Sequence, residues 1–141
     1  MAGRLIALAV AAGLLCSSAA LAKEFGPGDL RVCGATRCVP IEKRAALRAF
    51  TAFYFGDGRA AVAGRPPIGA PAFEIRFTDR SAAGIVAGSN FDRARVYGLN
   101  CGRFRRGRWY RVPARIRLEV SRLSAALTPL RVTRRPPPPS C

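Results

Sequence analysis

The N-terminal stretch constrains the folding of this chain most, because it sets which residues fold and in which compartment. A positive charge at Arg4 precedes an apolar run over 5–16, which is followed by small residues at Ala20 and Ala22. A basic start, a short apolar core and an A-x-A site form a cleavable secretory signal. The sequence therefore predicts a signal peptide over 1–22 and a mature protein that is secreted, either extracellular or associated with the cell envelope.

The apolar run is shorter than the ~20 residues that a membrane-spanning helix needs. Extended as far as Ala22, it approaches that length, so an uncleaved anchor remains an alternative to cleavage. No later stretch of the sequence is long and apolar enough to span a membrane. We therefore expect no transmembrane span after signal cleavage.

Four cysteines follow the signal: Cys33, Cys38, Cys101 and Cys141. An even number in a small exported domain predicts two disulfides. Because Cys33 and Cys38 flank a plausible turn over 34–37, we favour a bond between them, with Cys101 bonded to Cys141, although two other connectivities stay open. The C-x₄-C spacing and the absence of histidine argue against a redox centre or a zinc site. We expect no metal and no cofactor.

Hydrophobic spacing along the chain shows both periods of regular secondary structure. Phe73, Ile75 and Phe77 alternate with polar residues, as in a half-buried strand. Ile116 and Val120 begin an apolar stripe that is typical of an amphipathic helix. The patterns predict strands over 30–33, 73–78, 83–87 and 108–112, helices over 41–55 and from Pro113 to before Pro129, an irregular connection over 59–71, and a helical turn that starts at Asn90.

This order of elements predicts a single α+β domain over 23–130, a small antiparallel sheet with two helices packed on one face and stapled by disulfides. The Pro/Arg-rich tail over 131–141 should be extended. A polyproline ligand in this tail is one functional hypothesis.

The chain is strongly basic, with a formal net charge of +16. Such a charge favours anionic partners. The densest basic segment interleaves arginines with aromatic residues, and we predict an anion-binding surface at Arg103, Arg105, Arg106, Arg108, Trp109, Tyr110, Arg111 and Arg115. Arginine forks bind phosphate or carboxylate groups, and aromatics suit a lipid interface. The predicted partners are anionic lipid headgroups, acidic wall polymers or an envelope protein, since export argues against nucleic acid.

The residue types also limit catalysis. Without histidine there is no Ser-His-Asp or Cys-His nucleophile pair. We therefore expect a non-enzymatic binding protein. The alternative is a small cell-wall hydrolase that uses two carboxylates, drawn from Glu42, Asp57, Glu74, Asp79, Asp92 and Glu119.

Two segments are distinctive enough to suggest relatives. The first is the cysteine-bearing run over 28–40, and the second is the Arg-rich run over 102–113 that ends in Trp-Tyr-Arg-Val-Pro. With these segments the chain resembles small exported proteins of high-GC Gram-positive (actinobacterial) bacteria, for which no activity is assigned. The resemblance implies export and identifies no site residue.

Overall fold

The computed structural model describes residues 24–56, 62–97 and 108–134. The predicted signal peptide lies outside these residues, as do Cys101, Cys141 and Asp57. The described residues form eight strands and two helices: β1 (Leu30–Cys33), β2 (Cys38–Pro40), α1 (Arg44–Phe55), β3 (Val62–Ala63), β4 (Pro71–Phe77), β5 (Ala82–Ala87), β6 (Arg93–Val96), β7 (Trp109–Arg111), α2 (Ala114–Ser124) and β8 (Leu130–Arg131).

The described strands form one antiparallel sheet in the order β2-β1-β4-β5-β6-β7-β3. The long strand β4 also pairs with β8, through Ala72 and Leu130. Since β1 pairs with residues 74–77 of β4, β1 and β8 lie end to end along the same edge of that strand. Pairings between consecutive strands, such as β4 with β5, and three long-range pairings, β1 with β4, β3 with β7 and β4 with β8, therefore build the sheet.

Both helices pack on one face of this sheet, as predicted. The alternate residues Val32, Ile75 and Val96 lie in the same buried cluster as Phe50 of α1 and Ile116 of α2. Period-two alternation in the strands and a stripe on each helix bring these side chains to one side. The α+β fold with two helices on one face is therefore confirmed.

Helix α1 starts later than its pattern predicts. Ile41 is fully buried, and its N–H donates to the carbonyl oxygen of Leu30 at 2.9 Å, so residues 41–43 continue the chain in non-helical form. The helix begins at Arg44 and ends at Gly56, whose φ of 95° is the left-handed conformation expected at a helix end.

The helical turn predicted at Asn90 is wrong. Residues 93–96 form β6, which pairs with β5 on one side and β7 on the other. Ala94 and Val96 are buried on the helix side, while Arg93 and Arg95 are half-buried on the other. Two cross-strand ladders outweigh the weak local cap signal, because tertiary context often overrides propensity.

The Cys33–Cys38 disulfide is confirmed. It joins β1 to β2, with the sulfur atoms 2.01 Å apart. The loop that it closes contacts the segment before β8, where Ala35 N–H donates to the carbonyl oxygen of Thr128 at 2.9 Å. The Cys101–Cys141 bond stays a prediction.

Packing continues into the first residues of the predicted tail. Val132 is buried, and its N–H donates to the carbonyl oxygen of Ala70 at 2.9 Å. The segment 59–71, which is predicted to be irregular, contributes β3. The predicted tail over 131–141 contributes Arg131, the second residue of β8.

Candidate binding face

The sheet face opposite the helices, here called the open face, carries arginines on four strands. Arg31 of β1 lies directly across from Arg76 of β4, and Arg93 of β6 lies directly across from Arg111 of β7. Arg95 follows Arg93 by two positions and therefore points to the same side. The antiparallel register thus collects five arginines from distant parts of the sequence on one face.

The local reason for this placement is strand alternation. In β1, β4 and β6 the arginines occupy the positions between apolar residues that face the helices, as Arg95 does between Ala94 and Val96. Burying those apolar side chains stabilises the fold by roughly 25 cal/mol for each Å² of apolar surface that is removed from water. The hydrophobic face fixes the strand orientation and leaves the arginines on the other side.

The five arginines differ in how far nearby groups neutralise them. Arg76 donates from Nε and Nη2 to the Oε2 atom of Glu74, at 2.8 and 2.6 Å. Arg93 lies 3.7 Å from the carboxylate of Asp92 and donates to a backbone carbonyl oxygen at 2.8 Å. Arg31 and Arg111 are exposed, and within the described part of the chain no carboxylate forms an ion pair with them.

The predicted basic segment does not form a single surface. Arg111 lies on the open face, whereas Arg115 is exposed on α2, which packs against the opposite face of the sheet. Arg108 is exposed just before β7. The remaining predicted arginines, Arg103, Arg105 and Arg106, lie outside the described residues. Proximity in sequence therefore does not bring Arg111 and Arg115 together.

The two aromatics of this segment are mostly packed inside the protein. Trp109 is 5% exposed and contacts a small apolar cluster with Ala72, Ala87 and Val132 on the open-face side of the sheet. Tyr110 alternates with it and packs against the main core on the helix side. Neither ring is freely exposed in the way that insertion into a lipid interface requires. Contact of these two aromatics with a ligand stays a prediction.

Sequence reasoning missed four arginines of the open face, namely Arg31, Arg76, Arg93 and Arg95. Their signal is present, because each stands next to an apolar residue of a short alternating segment. A search for dense basic runs does not find them, since they are spread over three strands. Only the pairing of those strands brings them together.

The carboxylates considered for hydrolysis are mostly matched with cations or hydrogen-bond donors. The buried carboxylate of Glu119 accepts two hydrogen bonds from Arg122, at 3.0 and 2.6 Å, and lies 3.9 Å from Nζ of Lys43. Hydrogen bonds from the hydroxyl and N–H of Ser81 lower the pKa of Asp79, the opposite of what a general acid needs. Glu74 is held by Arg76, as above, and Asp92 by Arg93; Glu42 is exposed.

The described residues offer neither a cluster of metal-binding side chains nor a membrane-spanning helix. Among the described residues, no group of three or more histidine, cysteine or acidic side chains is arranged to hold a metal ion. No helix in that same part of the chain has the length and apolar character to cross a membrane.

Two tyrosines carry buried hydroxyl groups that have no hydrogen-bond partner within the described part of the chain. Tyr54 belongs to the last turn of α1, on the helix side of the sheet, and Tyr97 follows β6. Burial raises the pKa of Tyr54 well above its usual value of 10.0. Burial also raises the pKa of Tyr97, while Arg95 acts in the opposite direction and Glu74 adds to the rise. The folded protein therefore disfavours both phenolates.

This burial predicts that stability falls in alkaline solution. Above about pH 10 the unfolded chain releases its tyrosine protons while the folded chain retains them, so stability is lost as the pH rises. Melting temperatures from about pH 8 to pH 11.5 should decline, and Tyr54→Phe should decline less steeply than the wild type. Equal slopes for the two proteins would show that Tyr54 does not contribute to this loss.

Comparison of the chain with known proteins finds no similar protein. No protein-family model matches the chain, and neither a curated protein nor a solved structure shows significant similarity to it. The class of protein is thus defined by the fold alone, an α+β domain with a basic open face. Any function has to be argued from that face.

Proposed function

We propose that this chain is an exported, non-enzymatic protein that docks on anionic components of the cell envelope through the open face of its sheet. The observation that carries the proposal is the pair of like-charge contacts across strands, Arg31 opposite Arg76 and Arg93 opposite Arg111. Like charges directly opposite each other destabilise a sheet. A partner rich in phosphate or carboxylate groups would convert this cost into binding energy.

The distribution of neutralising groups supports this proposal. Glu74 and Asp92 offset part of the repulsion, but Arg31 and Arg111 stay exposed. Arginine binds phosphate and carboxylate through parallel hydrogen bonds, and it holds its charge at any physiological pH. The predicted export signal places these arginines where anionic lipids and acidic wall polymers are found.

The carboxylate-pair hydrolase stays an alternative prediction. It needs two acids with a gap for substrate and one raised pKa. Glu74, Asp92 and Glu119 are engaged with cations. Their engagement favours the docking hypothesis over catalysis.

The docking proposal predicts a strong dependence of binding on salt. Mature protein would be sedimented with phosphatidylcholine vesicles that contain about one-third phosphatidylglycerol, and with pure phosphatidylcholine vesicles as the control. Between about 0.05 M and 1 M salt the screening length shrinks to roughly 3 Å, so binding to the anionic vesicles should fall more than about tenfold. A soluble polyanion such as polyglutamate should compete. Binding that persists unchanged at high salt, or equal binding to neutral vesicles, would contradict the proposal.

A further inference from the structure

The open face contains a cavity of about 260 Å³ whose walls are largely apolar. Ile85, Trp109, Leu130 and Val132 line it. They come from β5, β7 and the segment around β8, three parts of the chain that the sheet brings together. Pockets for small molecules typically combine such walls with a few polar groups, and they start at roughly 300 Å³. This cavity therefore suits a ligand built around a single ring or a short branched chain.

One polar group at the cavity has no hydrogen-bond partner among the residues that the structure describes. Tyr97 lines the cavity and is 4% exposed, and its hydroxyl forms no hydrogen bond. Buried hydroxyls are nearly always hydrogen-bonded in folded proteins, because an unpaired one loses its contacts with water. A ligand with an acceptor atom at this point would supply the missing partner.

The charges around the cavity favour an anionic acceptor. Among the described residues, Glu74 is the one acid that lines it, and the Nε and Nη2 atoms of Arg76 already donate to that carboxylate. Arg131 is also among the residues that line the cavity, and its Nη1 atom donates to the carbonyl oxygen of Gly69 at 3.3 Å. The guanidinium of Arg95 lies 5.9 Å from the centre of the Tyr97 ring. After the Glu74–Arg76 pair is set aside, Arg95 beside the Tyr97 ring and Arg131 at the cavity wall remain, and neither forms an ion pair with a carboxylate of the described residues.

We propose that this cavity binds a small monocarboxylate with an apolar body, whose carboxylate accepts a hydrogen bond from the Tyr97 hydroxyl and faces Arg131. The apolar body lies against Trp109, Ile85, Leu130 and Val132. This inference goes beyond docking on an envelope surface and does not depend on it. Docking uses the exposed arginines, whereas the cavity uses a buried hydroxyl and an apolar wall.

The ligand class can be tested with three probes of matched size and different charge: phenylacetate, phenylacetamide and phenethylamine. Trp109 is the single tryptophan of the chain and lines the cavity, so its fluorescence reports occupancy directly. We expect phenylacetate to bind most tightly and phenethylamine most weakly. Tightest binding of phenethylamine would mean that Glu74 dominates the site and would overturn the proposal. So would the absence of any fluorescence change with phenylacetate up to about 10 mM.

Two tyrosine variants provide a matched test of the hydrogen bond. Tyr97→Phe removes the hydroxyl at the cavity, and Tyr54→Phe removes an equally unpartnered hydroxyl from the helix side. Since neither hydroxyl bonds to the protein, both variants should melt at or above the wild-type temperature. Phenylacetate affinity should fall about tenfold or more in Tyr97→Phe and stay unchanged in Tyr54→Phe. Equal affinity in Tyr97→Phe and wild type would overturn the proposal, as would equal losses in both variants.

Discussion

Ile116→Ala should lower the free energy of unfolding by about 3 kcal/mol and the melting temperature by roughly 10 °C or more. Ile116 lies on α2 and is 1% exposed in the main core. Truncation removes buried methylene groups and leaves a cavity that close-packed neighbours cannot fill. The loss is measured by thermal or urea unfolding of the mature protein.

Leu118→Ala is the matched control, because Leu118 stands two positions further along the same helix and is 71% exposed. Alanine is a good helix former, and a surface substitution usually changes stability by less than about 0.5 kcal/mol. Equal losses in the two variants would mean that α2 does not pack on the sheet through the Ile116 stripe.

The core and the fold class were predictable from sequence because their signals are local. Phe73, Ile75 and Phe77 alternate within one strand, and Ile116 and Val120 share one helix stripe, so each element indicates its own buried side. The bond from Cys33 to Cys38 was predictable for the same reason, since a short turn separates the two residues. Burial then requires the elements to bring their apolar sides together.

The strands that were missed are short segments that depend on neighbouring strands for their stability. Strand β6 has only Ala94 and Val96 as apolar residues, between arginines, and it forms because β5 and β7 flank it. Strand β8 has two residues and depends on Ala72 of β4. The sequence of each short segment alone does not show which strands flank it.

The arginines of the open face show the same limit of sequence-based prediction more clearly. A dense basic run in sequence suggested one surface, but strand alternation and the step from β7 to α2 put Arg111 and Arg115 on opposite sides of the sheet. The charge density of the open face arises instead from register, which sets Arg31 opposite Arg76. Composition predicts an anionic partner, and the fold is needed to propose a surface for it.

Replacing the two most exposed arginines of the open face should weaken docking far more than removing the same charge elsewhere. Each arginine near an anionic surface contributes about 1 kcal/mol, so Arg31→Gln with Arg111→Gln should reduce partition onto anionic vesicles by roughly thirtyfold. Fold stability should stay equal or rise, because each substitution removes one member of a like-charge pair.

The matched control removes two exposed arginines from the helix side, Arg44→Gln with Arg115→Gln. Both double variants have the same net charge. Neither control residue forms an ion pair with a carboxylate of the described residues, and both stand in the first turn of a helix, where a positive charge is unfavourable. The control therefore measures the effect of net charge alone.

Co-sedimentation of these two double variants with phosphatidylglycerol-containing vesicles, side by side at low salt, tests the location of the docking surface most directly. We predict that the Arg31/Arg111 variant loses most of its binding while the Arg44/Arg115 variant stays close to wild type. Equal loss in the two variants would show that attraction follows overall charge, and would contradict a docking role for the open face.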